Sequence, residues 1–381
     1  MQNIKSKLAD VSTTIFTIMS KMANEYDAIN LSQGFPNFET DKKLIDLVTL
    51  AMRKGYNQYA PMPGLLSLRE IIAQKANDLY GSNYDPETDV TVTSGATQAI
   101  FTIISAFIQP GDEVIIFKPA YDSYEPSIEL FNGTIVPIQL SAPNFTVDWK
   151  EVAGKITNKT KMMIINTPHN PTGTILSKED MLQLDILLKN TNIILLSDEV
   201  YEHIIFDGKE HQSVAKYPGL AKRSFITASF GKTFHTTGWK MGYCIAPKDL
   251  MTEFRKVHQF NVFCSNHPIQ SALAEYLKIP EHYESLPHFY QGKRDLFLSL
   301  IKGSRFSFTP ATGTYFQLLD YSKITDEEDV AFAEKLTKEH KIASIPVSVF
   351  NLNQLDDKVL RFCFAKTDDT LKRAAEILCR I

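Results

Sequence analysis

The chain has 381 residues, 44% of them hydrophobic and 22% charged, with 40 Lys and Arg against 44 Asp and Glu for a formal net charge of -4. That length exceeds one ordinary domain and suits two, and the near-average composition excludes fibrous, disordered and low-complexity chains. A slightly acidic chain without a Lys/Arg-rich cluster argues against nucleic acid as a partner.

In chain order, the opening MQNIKSKLADVSTTIF has no apolar signal-type core, and no apolar run approaches bilayer-spanning length, so a soluble, cytoplasmic protein with no membrane partner is expected. The Gly/Pro-bearing NLSQGFPNFETD at residues 30–41 reads as a linker closing an N-terminal arm, residues 1–45, that is expected to pack with the C-terminal part. From about residue 88 to 250, short β-branched runs (TDVTVTSG, EVIIFKP, KMMIINTP, NIILLSDEV, SFITASFG, GYCIAP) alternate with helical stretches such as ATQAIFTIISAFI and EDMLQLDILLKN. This pattern predicts an α/β domain, residues 46–275, built on a mostly parallel sheet covered by helices on both faces. The last hundred residues differ: helical stretches around 282–302 and 327–340 are interleaved with TYFQLLD, IASIPVSVF and VLRFCFA, an α+β pattern predicting a smaller domain, residues 276–381. Cys244, Cys264, Cys363 and Cys379 are scattered without a CxxC pair, which points to reduced thiols and to neither a disulfide framework nor a metal site.

Sites in parallel sheets gather at the carboxyl ends of strands, and that is where the unusual polar residues fall. Ser94, Gly95, Ala96 and Thr97 follow TVT, Asn166 ends MMIIN, Asp198 ends IILLSD, and residues 229–232 follow FITA. In SFGKTFHTTGWKMGY, Lys232 is bracketed by Ser229 and Lys240. A phosphate held by those two would bring a tethered aldehyde within reach of the Lys232 amine; a solvated surface lysine is the bland alternative. The turn SGATQAI opens a helix, so its N–H groups and dipole form an anion seat, although ordinary capping also explains it. A carboxylate as deep as Asp198 needs a cationic partner or becomes neutral, and the protonated ring nitrogen of pyridoxal phosphate fits that need, as would a helix-capping role. Tyr201 could donate to the cofactor's phenolic oxygen and Tyr121 could stack on a planar ring, or both could be half-buried aromatics. In NTPHNPTG, Asn166 and Asn170 could orient a ligand, though turn chemistry explains the composition. Arg361 interrupts the apolar strand VLRFCFA, and its planar fork suits a substrate α-carboxylate, with a buried ion pair as the alternative.

Taken in order, QYAPMPGLLSLRE, TVTSGATQAI, YDSYEP, NTPHNPTG, SDEVYEH, SFGKTFHTTGWKMGY and VLRFCFAK resemble the class I/II, fold-type I pyridoxal-phosphate aminotransferases along essentially the whole chain. Within that family the chain resembles the methionine aminotransferases, beside the kynurenine/glutamine-type branch, with GTYF, HQF and IPVSVF adding to the likeness. The resemblance implies a seven-stranded-type sheet and a cofactor, pyridoxal 5'-phosphate, held by Lys232 as a Schiff base. It implies that Asp198 pairs with the ring nitrogen, Tyr201 and Asn170 bind the phenolic oxygen, and Tyr121 stacks on the ring. Ser229, Lys240 and the backbone at Gly95, Ala96 and Thr97 would hold the phosphate, while Gly34, Asn170 and Arg361 would receive the substrate carboxylate. Tyr59 would reach the phosphate of a neighbouring subunit, making the active unit a homodimer with shared sites. Many relatives carry arginine where this chain has Lys240, which turns a forked contact into a point charge; the kynurenine-type branch also resembles this chain there.

The implied reaction is transamination between a neutral amino acid, methionine favoured with glutamine, aromatic amino acids and kynurenine also accepted, and a 2-oxo acid. Ile15, Phe16 and Phe35 are the expected apolar wall for the side chain. Two alternatives stand beside it. A pyridoxal-phosphate β-lyase acting on cysteine conjugates would use the same site, and a cofactor-sensing transcription regulator would need a DNA-binding module for which only about 30 residues precede the aminotransferase-like part.

Overall fold

The computed structural model describes residues 5–381. The arm contributes a helix, Ile15–Glu25, capped by the Thr14 hydroxyl, and a two-residue strand, β1 (Ile29–Asn30). Seven strands follow: β2 (Val90–Thr93), β3 (Glu113–Lys118), β4 (Thr134–Gln139), β5 (Thr160–Asn166), β6 (Ile194–Asp198), β7 (Ser224–Ser229) and β8 (Gly242–Ile245). The C-terminal part adds β9 (Phe316–Asp320), β10 (Ile342–Ala343), β11 (Ile345–Pro346) and β12 (Val359–Cys363).

Strands β2 to β8 form one sheet in the order β2-β8-β7-β6-β5-β3-β4, in which β8 alone runs antiparallel to its neighbours. Because side chains alternate along a strand, each apolar run serves two cores at once. Val114, Ile116, Met162, Ile164, Leu196 and Phe225 pack on one face, under the helices Gly95–Phe107 and Lys248–Asn261. Ile115, Met163, Leu195 and Ile226 pack on the other, with Met181, Leu184 and Leu188 from the helix Lys178–Leu188. Strand β4 lies outside the runs singled out in the sequence. It is a half-buried edge strand paired only with β3 and carries Pro137, tolerable there because an edge strand has a free hydrogen-bonding side.

The arm joins the C-terminal part, since β1 pairs parallel with β10 and the helix Ile15–Glu25 packs against the helix Asp329–Lys338. Strands β11, β12 and β9 form a separate antiparallel sheet that places Arg361 opposite Leu318. In the large sheet, Asn166 pairs with Asp198, Ser229 with Gly242, and Gly242 with Thr93. One edge of the sheet therefore carries the polar strand ends as a row, and the arm and small sheet supply the opposite wall. Among the described residues no helix is long and apolar enough to cross a membrane.

Candidate active site

A cavity of about 300 Å³ opens above that row of strand ends, a size typical of small-molecule sites. Gly34, Gly95, Ala96, Thr97, Tyr121, Asn170, Asp198, Tyr201, Ser229, Lys232, Lys240 and Arg361 all line it, as do Phe16 and Phe35 of the expected apolar wall.

One end is cationic. The helix Gly95–Phe107 points its N-terminus into the cavity, and Lys240 lies over Gly95. Lys240 itself has φ +54, a left-handed conformation that costs a non-glycine residue on the order of 1 kcal/mol. Strand β8 approaches this helix so closely that a Cβ at Gly242 would lie 2.6 Å from the Ala228 carbonyl and 3.0 Å from the Ala96 nitrogen. Ser229 caps the short turn of helix carrying Lys232, and the Tyr121 hydroxyl sits 3.3 Å from Thr97 Oγ1.

Lys232 stands at the centre. Its Nζ donates to the Gly34 carbonyl at 3.1 Å, and burial pulls its amine down to about 8 from the usual 10.5. Asp198 is 3% exposed, and burial pushes its carboxyl up to about 6 even though the Tyr124 hydroxyl donates to it at 2.6 Å. The amide of Asn166 steadies this edge by donating to the Asp198 carbonyl at 2.9 Å and accepting from the Asn170 N–H at 2.8 Å. Tyr201 is buried with its ring edge-on to Tyr315 and Phe316, and burial raises its hydroxyl far above the ordinary phenol range.

Arg361 closes the far end. It is 1% exposed and donates to Asn170 Oδ1 and to the Ser32 carbonyl, both at 2.8 Å, while its Nε has no partner. Its guanidinium lies 3.9 Å from the centroid of the Phe316 ring. Burial draws it down to about 10, which leaves it protonated at neutral pH. Among the described residues no carboxylate hydrogen-bonds to it, and Asp122 attracts it only from a distance, so a direct buried ion pair does not account for its place. A buried guanidinium with neutral partners and an unused donor suits an incoming anion.

Two expected residues stand apart. Ile15 does not line the cavity: adjacent helical positions point about 100° apart, so the register that turns Phe16 inward sends Ile15 against the core. Tyr59 is 82% exposed and touches the Phe263 ring edge-on, outside this chain's own cavity. Sequence reading passed over Tyr124, Gln33, Tyr315 and Phe316. Tyr124 and the last two sit inside the segments YDSYEP and GTYF, but nothing local shows which aromatic turns to the cavity.

A planar molecule bearing a phosphate, a carbonyl and a basic ring nitrogen fits these groups. The cationic end suits the phosphate, the desolvated amine suits the carbonyl, and the buried carboxylate suits a protonated ring nitrogen. Gly34 is held to its shape from behind, because a Cβ there would lie 2.8 Å from Phe316 Cζ.

Comparison with known proteins points to one family. Residues 26–378 match the family model of aminotransferase class I and II. A methionine aminotransferase of Escherichia coli K12 is 47% identical over 375 residues, covering 98% of this chain and 97% of that one. A solved Escherichia coli structure described as having a methionine aminotransferase function matches with a TM-score of 0.97 at 47% identity, covering 99% of both chains. Human kynurenine-oxoglutarate transaminase 1 is 32% identical over 393 residues, covering 94% of this chain and 93% of that one.

Proposed function

The chain belongs to the class I and II aminotransferases, and from that premise we propose that its amino donor is a neutral amino acid, methionine above all, with glutamine, kynurenine and aromatic amino acids also accepted. Transamination is the family's reaction and pyridoxal 5'-phosphate its cofactor. When bound, that cofactor supplies a carbonyl that attaches the substrate amine and a ring that draws electrons from the substrate's α-carbon.

Lys232 binds the cofactor covalently in this reading and, once its amine is freed, moves the proton at the substrate's α-carbon. Its depressed basicity leaves a neutral, competent fraction near neutral pH. Asp198 keeps an anion against the ring nitrogen, Tyr201 and Asn170 serve the phenolic oxygen, and Tyr121 covers the ring. Ser229, Lys240 and the backbone at Gly95, Ala96 and Thr97 hold the phosphate. Arg361, with Gly34 and Asn170, takes the substrate carboxylate and so fixes which face of the α-carbon meets Lys232.

The observation that carries the preference for neutral donors is the charge inventory of the cavity. Lys232, Lys240 and Arg361 are its lining cations, each has a task, and the rings beside Arg361 are those of Phe16 and Phe316, with Phe35 elsewhere on the same wall. A second carboxylate would be buried without a partner, whereas one methylene more or less changes selectivity by only about 1–3 kcal/mol. The enzyme is therefore broad among neutral donors and poor with aspartate. It acts as a cytoplasmic homodimer in which the exposed Tyr59 completes the neighbouring subunit's phosphate seat. The division into an arm to residue 45, a large domain to 275 and a small domain beyond goes with this reading, and the pairing of β1 with β10 supports it.

The test compares kcat/KM for methionine, glutamine, phenylalanine, kynurenine and aspartate with one common 2-oxo acid. Methionine is expected to lead and aspartate to trail; aspartate as the best donor would overturn the pocket argument. Borohydride reduction and peptide mapping test the assignment of Lys232 separately, since a pyridoxyl label on any other lysine would remove it.

A further inference from the structure

The turn after β6 sends its side chains in opposite directions. Asp198 and Tyr201 line the cavity, whereas Glu199 and Glu202 point into the protein and are buried. Two buried carboxylates are costly unless every lone pair is used. Glu199 is bound by Ser197 Oγ at 2.7 Å, His211 Nε2 at 2.7 Å and the Val214 N–H at 3.1 Å. Glu202 is bound by Lys75 Nζ, the Tyr243 hydroxyl and the Tyr80 hydroxyl, each at 2.7 Å. Burial pushes the Glu202 carboxyl up, but the Lys75 ammonium, the neighbouring His203 and the hydrogen bonds from Lys75 and Tyr80 together outweigh it and hold the group well below the usual range.

The donors to Glu202 come from two places. Lys75 and Tyr80 belong to the helix Leu66–Tyr80, while Tyr243 belongs to β8, three residues after Lys240 and next to Gly242, where the strand meets the backbone of Gly95 and Ala96. The Tyr243 hydroxyl thus ties the strand that follows Lys240 to the turn that presents Asp198 and Tyr201. The Glu199 carboxylate, by contrast, is held by Ser197 of β6 and by residues 211–214, and makes no contact with β8.

We propose that Glu202, through the bond it receives from Tyr243, is a positioning residue that sets the spacing between the phosphate end and the ring end of the cofactor seat. The inference rests on the assignment of those two ends under the proposed function. A rigid planar cofactor has a fixed span, and a misplacement of about 1 Å at such a site can cost roughly 100-fold.

Two hydroxyl deletions separate this from a stability role. Tyr243→Phe removes the link to β8; Tyr80→Phe removes an equally short bond to the same carboxylate from the helix. Both leave the Lys75–Glu202 pair in place. Each variant is measured for melting temperature, for dissociation constant of pyridoxal phosphate, and for the pH midpoint of the bound cofactor's absorbance. The two are expected to lose similar melting temperature, while Tyr243→Phe alone binds pyridoxal phosphate at least tenfold more weakly and shifts the absorbance midpoint. Tyr80→Phe is expected to stay within twofold of the parent. Parent-like binding by Tyr243→Phe, or equal weakening in both variants, would overturn the proposal. Borohydride labelling of Tyr243→Phe keeps the two readings apart: a label on a lysine other than Lys232 sinks the site assignment, whereas a label on Lys232 with unchanged affinity sinks the positioning role alone.

Discussion

Lys232 and Tyr315 share one acceptor: the amine and the phenol donate to the carbonyl oxygen of Gly34 at 3.1 and 2.6 Å. A carbonyl has two lone pairs, so the two donors saturate it and hold each other in place. Gly34 is itself backed by Phe316, which follows Tyr315 in the chain.

Tyr315→Phe removes one of these donors and leaves the ring packed. A hydrogen bond of this kind is worth about 1 kcal/mol, so kcat should fall about fivefold with the donor KM changed by less than twofold. Steady-state kinetics with methionine check this, and an unchanged kcat would reduce Tyr315 to packing.

In cofactor-free protein the Lys232 amine should titrate near pH 8 because burial disfavours its charged form. Between that value and the ordinary 10.5 the native state binds fewer protons than the unfolded one, so this group makes stability rise with pH across that window. Acylation of Lys232 followed by peptide mapping as a function of pH gives the midpoint directly, and a midpoint near 10 would contradict the desolvated site.

Asp198→Asn should trade activity for stability. With its carboxyl raised from 3.8 to about 6, Asp198 favours the native state when protonated, and that contribution is lost as pH rises through about 6. At pH 7.5 the cofactor-free variant should be more stable than the parent by up to about 3 kcal/mol, with the difference gone below about pH 4. The cofactor-loaded variant should lose most of its kcat, because the ring nitrogen loses its anion. Denaturant melts at the two pH values and a turnover assay read both halves of the prediction.

Mixing inactive Lys232→Ala protein with an inactive Tyr59 variant under subunit exchange should restore activity, since one site of each hybrid dimer would be intact. Exchange without recovery would place Tyr59 outside the neighbouring site.

Much of this was legible locally. Apolar runs of strand length, each with a polar residue at its end, marked β5, β6 and β7 and with them Asn166, Asp198 and Ser229. Arg361 stood out because a charge in the middle of an apolar strand is costly without a partner. Strand β4 did not stand out, since an edge strand is only half-buried and lacks the continuous apolar run. Periodicity is a local property, and it says which face a side chain takes along its own element, not what comes to meet it. The tertiary structure alone decided that the Gly34 carbonyl receives Lys232 from 198 residues away, that Arg361 reaches Asn170 across 191, and that Tyr124 rather than Tyr121 donates to Asp198. It also decided that Phe16 and not Ile15 faces the cavity, and that Glu202 is joined to β8. These pairings depend on strand register and on how two sheets and an arm pack around one cavity, where the burial cost of each charge determines the partners it must find.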